Sequence, residues 1–169
     1  MKYLLLIFAL VMMACGSSSY YIVRHAEKAI ITKDSVNMMA GNPPLSEAGK
    51  VRSFVLRNQL QHKHIRHIYS TNTLRTISTA EPLSQKKHIK TELYNNIDSL
   101  VKLIKSEKGN MLIVGHSNTV DDIVNKLSGK KDIPSDLKDS EYDNLFILKK
   151  KRGHFQFTRK KYGYPSNPE

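Results

Sequence analysis

Two apolar runs in this chain each end in a histidine. Tyr20-Tyr21-Ile22-Val23 leads into Arg24-His25-Ala26-Glu27-Lys28, and Met111-Leu112-Ile113-Val114 leads into Gly115-His116-Ser117-Asn118. A neutral imidazole is a nucleophile near physiological pH, and a guanidinium beside it gathers an anion's oxygens through a planar fork of donors. Both histidines and the arginine brought to one place make a site for chemistry on an anion.

The elements that must position them follow from the same runs. Each is short and apolar throughout, the pattern of a strand buried on both faces, with its reactive residue just past the C-terminal end. In open α/β sheets that edge is where ligands bind. Strands are predicted at Tyr20–Arg24, Ile65–Ser70, Ile89–Leu93, Met111–Gly115, Leu145–Lys149 and Phe155–Lys160. Helical patterns separate the first five. Pro43-Pro44-Leu45 stops the chain, Ser46 can N-cap a helix with Glu47 in its first turn, and Val51, Val55, Leu56 and Leu60 form its apolar stripe. Further helices are predicted over 73–85, over 97–107 with Ile97, Leu100, Val101 and Ile104 inward, and over 118–128. The expected fold is a three-layer α/β/α sandwich around a mostly parallel sheet, with an antiparallel edge hairpin turning at Lys151-Arg152-Gly153. The longest irregular stretch, Ile30 to Asn42, directly follows the first histidine, as a substrate loop would.

The chain has 169 residues, which suits one domain with a sizeable core. Its formal net charge of +12 suggests an anionic partner or simple solubility. Nucleic acid is disfavoured, because no basic stripe carries interleaved aromatics.

The N-terminus reads as a leader. Lys2 precedes an apolar stretch, Leu4 to Met13, that is too short to span a bilayer stably. It ends in Ala14-Cys15-Gly16-Ser17, and Cys15 is the single cysteine of the chain. This resembles a bacterial lipoprotein processing site in which Cys15 is lipidated, although Met12 replaces the usual Leu. Residues 1–15 are therefore expected to be a lipoprotein signal peptide, and 20–164 the functional domain. The expected location is the bacterial envelope, lipid-anchored on the periplasmic side, with a soluble secreted or periplasmic form as the alternative.

Between the histidine segments lies Tyr69-Ser70-Thr71-Asn72-Thr73-Leu74-Arg75-Thr76-Ile77-Ser78-Thr79-Ala80. The ordered set Arg-His, Ser-x-x-x-x-Arg-Thr-x-x-Thr-Ala and Gly-His-Ser resembles the histidine phosphatase superfamily, also called phosphoglycerate mutase-like. The resemblance implies that His25 is a nucleophile carrying a transient phosphohistidine. It implies that Arg24 and Arg75 hold phosphoryl oxygens, and that a protonated His116 favours the charge-dispersed transition state. Lys28 and Asn118 are expected substrate contacts. For the general acid, the best match is Glu92 at a strand end, with Asp98, Glu27 and Asp143 as competitors; Ser117 occupies the position where phytase-like members carry an Asp. His62, His64 and His67 sit among Lys63 and Arg66, which opposes cation binding, so neither metal nor other cofactor is expected.

The resulting expectation is a metal-independent phosphomonoesterase, membrane-tethered, acting on a phosphorylated small molecule or envelope glycan. The alternatives are a phosphomutase of the same superfamily, or a catalytically weak lipoprotein that binds phospho-ligands.

Overall fold

The structure, a computed structural model, describes residues 17–30 and 41–166. The leader with Cys15, and most of the irregular stretch after Ile30, lie outside the described residues. Ten elements follow in order: β1 (Ser18–Arg24), α1 (Glu47–Leu60), β2 (Ile65–Thr71), α2 (Leu74–Lys87), β3 (Thr91–Tyr94), α3 (Ile97–Ser106), β4 (Asn110–Gly115), α4 (Val120–Ser128), β5 (Asn144–Lys151) and β6 (His154–Lys161).

They build one six-stranded sheet of order β3-β2-β4-β1-β5-β6. The first four strands are mutually parallel, β5 runs antiparallel to β1, and β6 pairs antiparallel with β5. The β5–β6 loop is two residues, Arg152 at φ 50° and Gly153 at φ 83°. Left-handed dihedrals at both positions make the tight hairpin turn whose twist matches its strands.

Strand alternation divides the core. Tyr20, Ile22, Met111 and Ile113 face α3 and α4, where Leu100, Ile104, Ile123 and Leu127 cover them. Tyr21, Val23, Leu112 and Val114 face α1 and α2, against Leu56, Leu60, Ala80 and Leu83. Burial on both faces is why β1 and β4 are continuous apolar runs. The layers and the mostly parallel sheet with its antiparallel edge are those the sequence predicts.

The stripe on α1 is different from the expected one. Val51 is half exposed, and the inward face consists of Gly49, Arg52, Ser53, Leu56 and Leu60. The cause lies beside His25. A Cβ at Gly49 would stand 2.2 Å from the Glu27 carbonyl oxygen, so the helix backbone packs directly on the segment after β1. Ser46 caps the helix by accepting from the Gly49 N–H, and its own N–H donates to the Glu27 carbonyl at 2.9 Å. Arg52 Nε donates to both Glu27 carboxylate oxygens at 2.9 Å, while Nη1 donates to the Tyr162 carbonyl at 2.8 Å. These contacts rotate α1 so that a buried ion pair, rather than Val51, meets the sheet.

Candidate active site

Register places the histidines. Arg24 pairs with Gly115 across the parallel β1–β4 ladder, and the His25 N–H donates to the Gly115 carbonyl at 2.9 Å. The two rings meet edge to face, with centroids 5.3 Å apart. His25 is buried, and its Nδ1 lies 2.7 Å from the Ala26 carbonyl oxygen. A carbonyl only accepts, so Nδ1 carries the proton and Nε2 presents its lone pair. His116 has the opposite arrangement. Its Nδ1 faces Arg75 Nη2 at 3.4 Å, a group that only donates, and its Nε2 lies 2.9 Å from Thr71 Oγ1. The Thr71 hydroxyl in turn donates to Thr76 Oγ1 at 3.0 Å.

Both imidazoles are held neutral. Burial, reinforced by the charges of Arg24 and Arg75 and by His116, lowers His25 to about 3, against the opposing bond to Ala26. Burial and the same two guanidiniums lower His116 to about 4. This runs against the expectation of a protonated His116: burial and two neighbouring cations both disfavour a further charge there. A dianionic phosphoryl group would change the sign of that balance.

The arginines arrive from different elements. Arg75 lies in the first turn of α2, which Thr79 ties to β1. The Thr79 hydroxyl accepts from the Ala26 N–H at 2.9 Å and donates to the Arg75 carbonyl at 2.7 Å. Arg24, at the end of β1, is buried and reaches into the loop between α4 and β5. Its Nη1 donates to the carbonyls of Lys138 (2.8 Å) and Asp139 (3.0 Å), and Nη2 to Asp139 Oδ1 at 3.2 Å. The Tyr142 ring lies under this guanidinium at 4.2 Å and beside the His25 ring at 5.9 Å. Arg24 Nε and Arg75 Nη1 are buried donors without a partner among the described residues.

The structure thus brings Arg24, His25, Arg75 and His116 together, and it does not bring Glu92. That carboxylate stands on β3 in register with Tyr69, two residues short of the edge where Thr71 pairs with Tyr94. It is half exposed and points to His67, 3.7 Å away. The competing acids are engaged elsewhere: Glu27 with Arg52, Asp98 with Lys126, and Asp143 with Lys161. Lys28 is exposed and lines an open cavity of about 1010 Å³, bordered also by Val51, Val55, Asp139, Tyr142 and Tyr164. Asn118 is exposed in the turn between β4 and α4. Sequence reading missed Asp139, the carboxylate that pairs with the cluster among the described residues, along with Thr71 and Thr79.

Comparison with known proteins agrees with this geometry. A family model described as histidine phosphatase superfamily (branch 1) matches residues 20–100, which include Arg24, His25 and Arg75. No curated protein sequence matches the chain. Among solved structures, a protein histidine phosphatase SixA complexed with tungstate is similar at a TM-score of 0.62 and 16% identity, covering 85% of this chain and 96% of that one. Phosphoglycerate mutase from Bacillus anthracis gives 0.58 and 14%, covering 87% and 93%. A mycobacterial glucosyl-3-phosphoglycerate phosphatase gives 0.61 and 10%, covering 86% and 98%. At these identities the likeness speaks for the fold, while the family model speaks for the strand-end arginine and histidine. Sheet order, matched segment and residue order converge on the histidine phosphatase superfamily, which this chain resembles over the 81 residues, 20–100, that the family model matches.

Proposed function

We propose that this protein is a metal-independent phosphatase that works through a phosphohistidine on His25. One observation carries the reading: a neutral, Nδ1-bonded His25 whose free Nε2 lies among His116 and two arginines with unsatisfied donors. In the first step Nε2 attacks phosphorus and the bond to the leaving group breaks. The leaving group departs with the bonding pair and takes up a proton. In the second step water attacks the phosphohistidine, releasing inorganic phosphate and restoring neutral His25. Arg24 and Arg75 neutralise the equatorial oxygens throughout, a task that needs positioned charge more than covalent chemistry.

The acid is the weak point of this site, and it bears on the substrate. Among the described residues no carboxyl group stands free beside His25 to protonate a leaving group: Asp139 is paired with Arg24 and largely exposed, and Glu92 faces His67. Leaving groups that depart without a strong proton donor, such as aryl, acyl or imidazole groups, therefore suit this chain better than alkoxides of sugars. The structurally similar SixA, a protein histidine phosphatase, is consistent with that class. The same observation supports a second reading, a phospho-ligand binding domain of weak turnover. The assay is hydrolysis of p-nitrophenyl phosphate in EDTA. Turnover that persists in chelator and falls on the order of 10⁴-fold in His25→Ala supports the phosphatase. Phosphate binding without turnover supports the binding domain.

A further inference from the structure

We propose that the sheet edge opposite the imidazoles is a docking surface for an anionic lipid bilayer, with the candidate active site held away from it in the aqueous phase. β1 to β4 begin at this opposite edge, and the four helices end there. The described chain emerges at the middle of it. Ser18, on the interior strand β1, pairs with Lys150, and its hydroxyl accepts from the Gly109 N–H at 3.2 Å. The Ser19 N–H donates to Asn110 Oδ1 at 2.9 Å. Upstream in sequence lie the apolar stretch Leu4 to Met13 and then Cys15. From Cys15 to Ser18 the chain reaches roughly 10 Å at full extension, so an apolar or lipidated segment there brings this edge to a membrane.

The charge of the edge suits an anionic membrane. On one side of Ser18 the hairpin tip exposes Lys149, Lys151 and Arg152. On the other side Arg66 and Lys108 are exposed, and the Arg66 stem lies over Gly109, where a Cβ would meet its Cδ at 2.5 Å. Lys130 and Lys131 extend the patch after α4. None of these seven side chains is in a salt bridge among the described residues. Three carboxylates share the region. Glu107 accepts from the Tyr69 hydroxyl at 2.6 Å and sits 3.1 Å from His67, Glu92 lies 3.7 Å from the same ring, and Asp132 follows Lys131. Lysines at helix C-termini also complement the helix dipoles. That role does not account for the charge on the β5–β6 hairpin, which belongs to no helix. Nucleic acid fits less well, because the aromatics of this hairpin, Phe155 and Phe157, pack against the core instead of standing free for stacking.

His25 lies seven residue steps of extended chain beyond Ser18, which puts the imidazoles about 20 Å above the docking plane. That is roughly two screening lengths at physiological ionic strength. Headgroups of the docked bilayer could not enter the site, so its substrate would be dissolved or carried by another molecule. This last consequence rests on the proposed phosphatase reading; the docking does not.

The test is flotation of the full chain with vesicles of phosphatidylcholine, with or without about 30 mol % phosphatidylglycerol. The expected result is partitioning that is much stronger with the anionic lipid than without it, with the difference weakening as salt is added. A Lys149→Glu/Lys151→Glu/Arg152→Glu variant should lose about a hundredfold in partitioning while unfolding cooperatively like the parent. Equal partitioning into neutral vesicles overturns the proposal. So does indifference to the charge reversal, or retention by a DNA duplex without retention by vesicles. Normal docking in a protein that never hydrolyses p-nitrophenyl phosphate refutes only the catalytic reading.

Discussion

Replacing His25 by glutamine should make the protein more resistant to acid relative to the parent. The parent holds His25 neutral down to about 3, whereas the same imidazole in an unfolded chain titrates near 6.5. Between those values the unfolded state binds a proton that the native state refuses, so stability falls as pH falls through 6.5 and the loss is complete near 3. At about 1.4 kcal/mol per pH unit, this residue alone costs the parent on the order of 3 kcal/mol by pH 4.5, and nothing at pH 7.5. Glutamine cannot titrate and removes that cost. Urea unfolding of the parent and His25→Gln at several pH values between 4.5 and 7.5 gives the comparison, and all other titrating groups cancel in the difference. The gap between the two curves should shift in favour of the variant by that amount on acidification. Curves that stay parallel would show that the site tolerates an imidazolium, and the burial argument would be refuted.

Asp139→Asn should lower KM for an anionic phosphoester by about two- to fivefold at low salt and leave kcat within about twofold, because it removes the anion that competes for Arg24. A hundredfold loss of kcat would instead make Asp139 the acid. Glu92→Gln should leave both constants near the parent's, as steady-state kinetics would show, since that carboxylate faces His67. Gly49→Ala forces a Cβ onto the Glu27 carbonyl and should cost about 1–3 kcal/mol in urea unfolding. The same variant should also slow turnover, because Glu27 follows Ala26, whose carbonyl holds His25 Nδ1.

What the sequence revealed, it revealed where one physical rule dominates. β1 and β4 sit between two helical layers, so burial made them apolar along their length and exposed the residues at their ends. Glu92 misled because a strand-end position in sequence is not a position at the sheet edge. Its partner Tyr69 lies two residues below that edge, and the carboxylate faces His67. Val51 misled because the facing of α1 is set by a buried Arg52–Glu27 pair, which hydrophobic periodicity cannot register. Asp139 was hidden for a third reason. It reaches Arg24 from a loop, where no period links sequence position to direction.

The His25 N–H to Gly115 hydrogen bond extends the β1–β4 ladder to the imidazoles themselves. Their spacing is therefore an interstrand spacing, and no side-chain rearrangement is needed to set it. The centre of the sheet is the part of such a fold that opens last. In rising urea the two rings should stay paired until the whole domain unfolds, while the loop that carries Asp139 and Tyr142 loosens earlier. Weakened substrate affinity would then precede loss of the reactive pair, and amide exchange at His25 should be as slow as at Ile22.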